Sequence, residues 1–209
     1  MTLFGDLSDL RATRGGLGAV LPNWRFGALV PAHYGLILAD PPWRFENYSE
    51  AGEAKNPVAH YRCMDYESLA AMPVQALAAR DAVLAMWAIW SLLPQAIDLL
   101  RAWGFAYKTG GHWHKLSKSG ECQAFGPGYH YRAASEIWLI GTIGSPAILS
   151  HSIRNAIAAP VREHSRKPDQ MHRDLEMLYA GPRCELFARS ARPGWDVWGN
   201  ETDKFETAR

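Results

Sequence analysis

The sequence predicts an α/β protein, a parallel or mixed β-sheet with helices on both faces, and three observations carry that prediction. Apolar runs of strand length alternate with segments of helical spacing, the pattern of strands joined by helical crossovers. The chain has 209 residues, 48% hydrophobic and 21% charged, enough for a sizeable core in one domain with modest extensions. The most chemically loaded segment, Asp40-Pro41-Pro42-Trp43, closes the apolar run Leu36-Ile37-Leu38-Ala39. Open sheets of this class bind ligands beyond the carboxyl ends of their strands.

Residues 1–27 have weak periodicity and several glycines and read as an N-terminal arm, with 28–209 as a single domain. Gly15-Gly16-Leu17-Gly18 follows no strand and has the spacing of neither the dinucleotide nor the P-loop fingerprint, so it is not read as a phosphate loop. Residues 35–39 form the first strand. The polar stretch 44–62 holds Gly52 and Pro57 without periodicity and reads as a long loop, the kind that serves as a lid or binding loop. Asp65 is suited to N-cap a helix running to about Arg80, split or kinked at Pro73. Residues 82–90 are an apolar strand between Asp81 and Ser91. Leu93, Ala96, Ile97 and Leu100 give 92–103 its helical spacing, and Gly104 stops it. Strands follow at 105–113 and 136–142, with a Gly- and Ser-bearing loop at 116–128 between them. Pro168 opens a helix to Tyr179 with Gly181 beyond it, and 184–188 is the last clear strand.

Bulk properties narrow the function classes. A net charge of +1 removes the global signature of a basic nucleic-acid binder. Arg154, Arg162, Arg166, Lys167 and Arg173 do cluster between 151 and 173, either as a solvated face or as the rim of a phosphate-binding cleft. No apolar run approaches the ~20 residues of a membrane span, and the N-terminus lacks a signal-peptide pattern. Cys63, Cys122 and Cys184 are far apart and form no C-x-x-C, which points to a reducing compartment, with the cytoplasm as the default. His112-Trp113-His114 puts two imidazoles on one strand face, but no third ligand is evident, so no metal site is expected. The nine tryptophans suit base stacking and ordinary packing equally.

At the strand end, Asp40 and Pro41 present acceptors. The Pro41 carbonyl has no N–H beside it, because Pro42 carries none. Trp43 adds a flat face. Together Asp40, Pro41, Pro42 and Trp43 suit a planar heterocycle bearing an exocyclic amine. Asp-Pro pairs at strand ends are also common turn formers, so the motif needs partners elsewhere.

Three further segments supply them: His164-Ser165-Arg166-Lys167-Pro168-Asp169, Glu185-Leu186-Phe187-Ala188-Arg189, and Gly194-Trp195-Asp196-Val197-Trp198-Gly199-Asn200-Glu201. With the D-P-P-W, in this order, the chain resembles the MT-A family of S-adenosylmethionine-dependent adenine N6-methyltransferases over roughly 35–201, and its bacterial and phage branch in size. The resemblance implies a Rossmann-like methyltransferase fold, mostly parallel, with S-adenosylmethionine as cofactor. It implies Asp40 as the catalytic aspartate, Lys167 on the cofactor's methionine carboxylate, Arg189 on its ribose, Asn200 on its adenosine part and Glu201 beside it. Gly128-Tyr129-His130-Tyr131-Arg132 resembles the family's active-site-facing segment, so Tyr131 and Arg132 join Trp43 as expected substrate contacts. The glycine-rich methyltransferase loop is represented only by 187–192, and no acidic residue upstream of Asp40 matches a contact to the cofactor's adenine.

The implied activity is methylation of adenine N6 in DNA. RNA is the alternative substrate, since a flipped base looks the same to the pocket. A catalytically silent nucleic-acid-binding or scaffold member is the alternative from another class; Asp40, Lys167 and Asn200 all argue against it. The expected partner is DNA or RNA and not a membrane, and a homodimer is an open assembly. Sequence preference must come from the loops at 44–62 and 116–132, the arm or a second subunit.

Overall fold

The computed structural model describes residues 24–43, 63–128 and 130–205. Most of the expected arm, including Gly15–Gly18, and the expected loop at 44–62 lie outside the described residues. The chain builds one seven-stranded sheet from β1 (Tyr34–Ala39), β2 (Ala78–Ala88), β3 (Ala106–Leu116), β4 (Ser135–Ile143), β5 (Ala156–Pro160), β6 (Arg183–Leu186) and β7 (Asp196–Trp198), in the order β5-β3-β4-β2-β1-β6-β7. β4 runs antiparallel to both its neighbours, β2 and β3, and every other pairing is parallel. The α/β class holds, with a mixed rather than purely parallel sheet.

The apolar run of β1 is continuous because the strand is central and alternate side chains enter two different cores. Ile37 and Ala39, with Leu84 and Met86 of β2, pack under α1 (Tyr66–Ala70) and α2 (Leu93–Ala102) through Leu69, Leu99 and Leu100. Leu36 and Leu38, with Val83, Ala85 and Trp87, pack on the opposite side against Met171 and Leu175 of α3 (Gln170–Leu178). Helices therefore cover both faces.

Local differences have local causes. The helix expected over 65–80 is three pieces: α1, a 3-10 turn at Val74–Leu77, and Ala78–Arg80, which belong to β2. Asp65 does cap α1, its carboxylate accepting the Ser68 N–H at 2.7 Å. Pro73 then disfavours helical backbone at the residue before it and supplies no N–H of its own. β2 ends at Ala88, and Trp90 falls in a 3-10 turn, Trp90–Leu92. β3 outruns its expected end because both flanks are paired, His114 with Ser135 of β4 and Leu116 with Pro160 of β5. β5 and β7 were not expected. They are short edge strands whose residues show no clean alternation. Phe26, assigned to the arm, is fully buried and packs edge-on against Trp198 at 5.2 Å between ring centres.

Candidate active site

Asp40 follows the last residue of β1, and its N–H donates to the Leu186 carbonyl of β6 at 3.3 Å. The carboxylate stands at the open end of the sheet, only 13% exposed. Lys167 Nζ lies 2.9 Å from both Asp40 oxygens, and Arg189 Nη2 lies 3.6 Å from Oδ2. Three residues that are remote in sequence thus meet within one contact shell.

Two residues missed by sequence extend this into a row of alternating charges. Glu136, near the start of β4, receives Lys115 Nζ of β3 at 2.6 Å and lies 3.4 Å from Lys167 Nζ. Burial pushes the Glu136 carboxyl up, but the Lys167 and Lys115 ammoniums outweigh it and hold the group down at about 2. Burial pushes Lys167 down, and here the Asp40 and Glu136 carboxylates win, so its pKa is raised. Beneath the row, Trp87 faces Lys167 at 5.6 Å from the ring centre and packs edge-on against Trp113 and Trp138. This dry floor strengthens every charge interaction above it. The sequence signal was a charged residue heading the apolar run Ile137-Trp138-Leu139-Ile140.

The Glu136 arrangement makes stability depend on acid. Its folded-state value lies below the ordinary 4.5, so its contribution is complete above that pH and is lost as pH falls from 4.5 through about 2. We expect Glu136→Gln to flatten the fall of the urea-unfolding midpoint across that window. An identical slope in both proteins would assign the acid sensitivity elsewhere.

Lys167 is held from behind. Arg162 donates from Nη2 to the Lys167 carbonyl at 2.5 Å and from Nη1 to Asp169 Oδ2 at 2.7 Å, while Arg192 Nη2 reaches Asp169 Oδ1 at 3.2 Å. Burial raises the Asp169 carboxyl, but Arg162 and Arg192 together outweigh it and leave the group below its usual range. Part of the basic stretch at 151–173 is therefore neither a bare solvated face nor a phosphate rim but a scaffold behind Lys167.

Two recesses meet at Asp40 and Arg189. The first, about 110 Å³, is walled by Pro42, Phe187, Ala188, Trp198, Asn200 and Glu201. The second, about 280 Å³, is walled by Pro41, Trp43, Trp87, Ile89, Glu136 and Lys167. Two non-glycine residues with left-handed backbone sit here: Phe187 (φ 60°), which follows β6 and lines the first recess, and Ser165 (φ 64°), which lines the second. Each such residue carries strain of order 1–2 kcal/mol, held by the surrounding packing.

The first recess is shaped by a close crossing of two chain segments. Gly199 lets the chain cross Ala188 closely: a Cβ there would lie 2.6 Å from the Ala188 carbonyl oxygen and 2.9 Å from its nitrogen. Asn200 and Glu201 follow this crossing and line the recess together with Arg189 and with the Phe187 and Trp198 rings, which pack edge-on against each other at 5.4 Å. Glu201 is also paired with Lys204, at 2.8 Å.

In the second recess Trp43 is pinned, its indole N–H donating to the Trp87 carbonyl at 3.1 Å. The Pro41 carbonyl is not the uncontested acceptor that the sequence implied, because the Trp43 backbone N–H donates to it at 2.8 Å. One lone pair of that oxygen remains. The Pro42 carbonyl accepts from Met64 N–H at 3.0 Å, which anchors the motif to the segment before α1. Tyr131 and Arg132 are exposed, Tyr131 at 89%, and line neither recess. Among the described residues no three His, Cys, Asp or Glu side chains cluster as metal ligands, and His112 and His114 simply occupy β3. No described helix is long and apolar enough to cross a membrane.

The α/β sheet thus carries, at the ends of its strands, one aspartate shared by two recesses, the second of them walled by aromatic rings. The MT-A70 family model matches residues 34–201, and the chain belongs to that family. Among curated relatives, it is 31% identical to the N6-methyladenosine RNA methyltransferase MTA1 of Cryphonectria parasitica, covering 87% of this chain and 55% of that one. It is 26% identical to the type II methyltransferase M.MunI of a Mycoplasma species, covering 84% and 81%. It is 26% identical to the N(6)-adenine-specific methyltransferase METTL4 of Mus musculus, covering 81% and 38%. The chain spans 28% and 24% of two plant MT-A70-like relatives, from Medicago truncatula and Oryza sativa.

Proposed function

We propose that this protein transfers the methyl group of S-adenosylmethionine to the exocyclic N6 of adenine in DNA. The observation that carries this is the single carboxylate of Asp40, shared by two recesses and held by Lys167 and Arg189. In this reading Asn200, Glu201 and Arg189 hold the adenosyl part, and the Lys167 ammonium, reaching Asp40 from the second recess, holds the cofactor's carboxylate.

When bound, the cofactor supplies a methyl group already activated on a sulfonium. The protein's task is placement and charge stabilisation. The N6 lone pair is delocalised into the adenine ring, so the amine is a poor nucleophile. Asp40 and the remaining lone pair of the Pro41 carbonyl accept its two N–H groups, which favours a pyramidal nitrogen. These acceptors act most strongly as positive charge develops on nitrogen, and so lower the barrier more than they strengthen substrate binding. Asp40 takes the proton once the new N–C bond has made it acidic. Flipping a base from a duplex costs a few kcal/mol, and stacking on Trp43 offsets roughly 1–3 kcal/mol of that.

The DNA reading follows the bacterial and phage resemblance and the extent of the match to M.MunI, 81% of that relative. RNA is the second reading, because MTA1, the RNA methyltransferase, matches at 31% identity. Labelled cofactor offered with DNA and RNA of one sequence, followed by nucleoside analysis, separates them. We expect N6-methyladenine in the DNA. Label in RNA alone selects the second reading, and label in neither overturns both.

A further inference from the structure

Of the nine tryptophans in the chain, Trp90 alone is exposed, at 56%. The others are buried or half-buried in the two cores and the recess walls. Trp90 is nevertheless held: its indole N–H donates to Ser135 Oγ at 2.9 Å. Both anchor points adjoin the second recess. Trp90 follows Ile89 at the carboxyl end of β2, and Ser135 precedes Glu136 at the start of β4; Ile89 and Glu136 are both wall residues. The connection from β3 to β4 leaves the same end of the sheet and carries the exposed Phe125, Tyr131, Lys118 and Arg132. Trp90 therefore presents an oriented, largely exposed indole beside the aromatic-walled second recess.

We propose that Trp90 is a stacking platform for the nucleobase adjacent to the target adenine, a subsite outside the pocket that holds the methylated base. This rests on the proposed function, since it needs a polynucleotide entering the second recess. Any base presents a π-face, so the platform adds affinity for a strand without choosing its sequence. Splaying the neighbouring base onto Trp90 also breaks its stack with the target, which favours delivery of the adenine to Trp43. A free nucleoside cannot use the site.

The test uses single-stranded oligodeoxynucleotides of about twelve nucleotides with one adenine, bearing 2-aminopurine on its 5′ or its 3′ side. With the wild-type protein, one of the two probes is quenched on binding. Trp90→Ala is expected to abolish that quench and weaken oligonucleotide binding about tenfold, the scale of one lost base stack. Trp90→Phe retains a ring and recovers part of both. Cofactor affinity by calorimetry stays unchanged in each variant, which shows that the site remains folded. Oligonucleotide binding by wild type with no Trp90-dependent quench and no affinity loss overturns the platform and leaves the proposed function standing. Absence of any oligonucleotide binding by wild type overturns the proposed function, and the platform with it.

Discussion

Asp40→Ala is expected to cut methyl transfer by about 10²–10³-fold while leaving cofactor binding measurable. The variant removes the acceptor common to both recesses, and loss of a single preorganised group of this kind costs about 10²–10³-fold in turnover. Asn200, Glu201 and the Phe187 and Trp198 rings are untouched, so the first recess, proposed for the cofactor, keeps these walls. Lys167 also keeps a carboxylate partner, because Glu136 lies 3.4 Å from its Nζ. Asp40→Asn separates charge from shape, since it can still accept one N–H but takes up no proton. We expect it to bind cofactor like wild type and to turn over far more slowly. Retained turnover of Asp40→Ala with labelled cofactor would remove Asp40 from the chemistry.

For Lys167→Ala the largest expected change is in cofactor affinity. The ammonium sits between Asp40 and Glu136, and both carboxylates outweigh its burial. Truncating one member of a buried, hydrogen-bonded charge set costs about 2–5 kcal/mol, which predicts a rise in Kd of at least thirtyfold or so. Two carboxylates then face each other without the shared cation, so turnover falls as well as affinity. Isothermal calorimetry with S-adenosylmethionine reads the first effect, and an unchanged Kd would take Lys167 out of the cofactor site. The raised pKa has its own pH signature. The contribution of Lys167 to stability is complete below its ordinary 10.5 and is lost as pH rises through the higher folded value.

Much of the framework was legible because it is written in local patterns. Leu36-Ile37-Leu38-Ala39 reads as a central strand because burial on both faces leaves no polar alternation. The spacing of Leu93, Ala96, Ile97 and Leu100 marks a helix because one face meets the sheet, and Ala96, Leu99 and Leu100 are indeed buried. The errors sit where local signals compete. Asp65 and the apolar residues after it argue for a long helix, yet Pro73 and the pairing of Ala78 with Tyr34 turn its second half into a turn and a strand. The strand at 156–160 has too little side-chain contrast to show a period, and only the flank of β3 makes it a strand.

The site divides in the same way. Sequence by itself determined that Asp40-Pro41-Pro42-Trp43 ends a buried strand, and, through the order of the later motifs, that Lys167, Arg189 and Asn200 belong with it. It did not show Glu136, Lys115 or Arg162, nor that Trp43 N–H occupies the Pro41 carbonyl. Those pairings join residues on different elements: Lys167 lies 127 positions from Asp40, and Lys115 lies 21 from Glu136. Periodicity reports which face of an element is apolar, because that depends on neighbours a few residues away. It carries no record of strand order. Which charges face one another across the open end of the sheet was decided when β4 took its place between β3 and β2, and β6 its place beside β1.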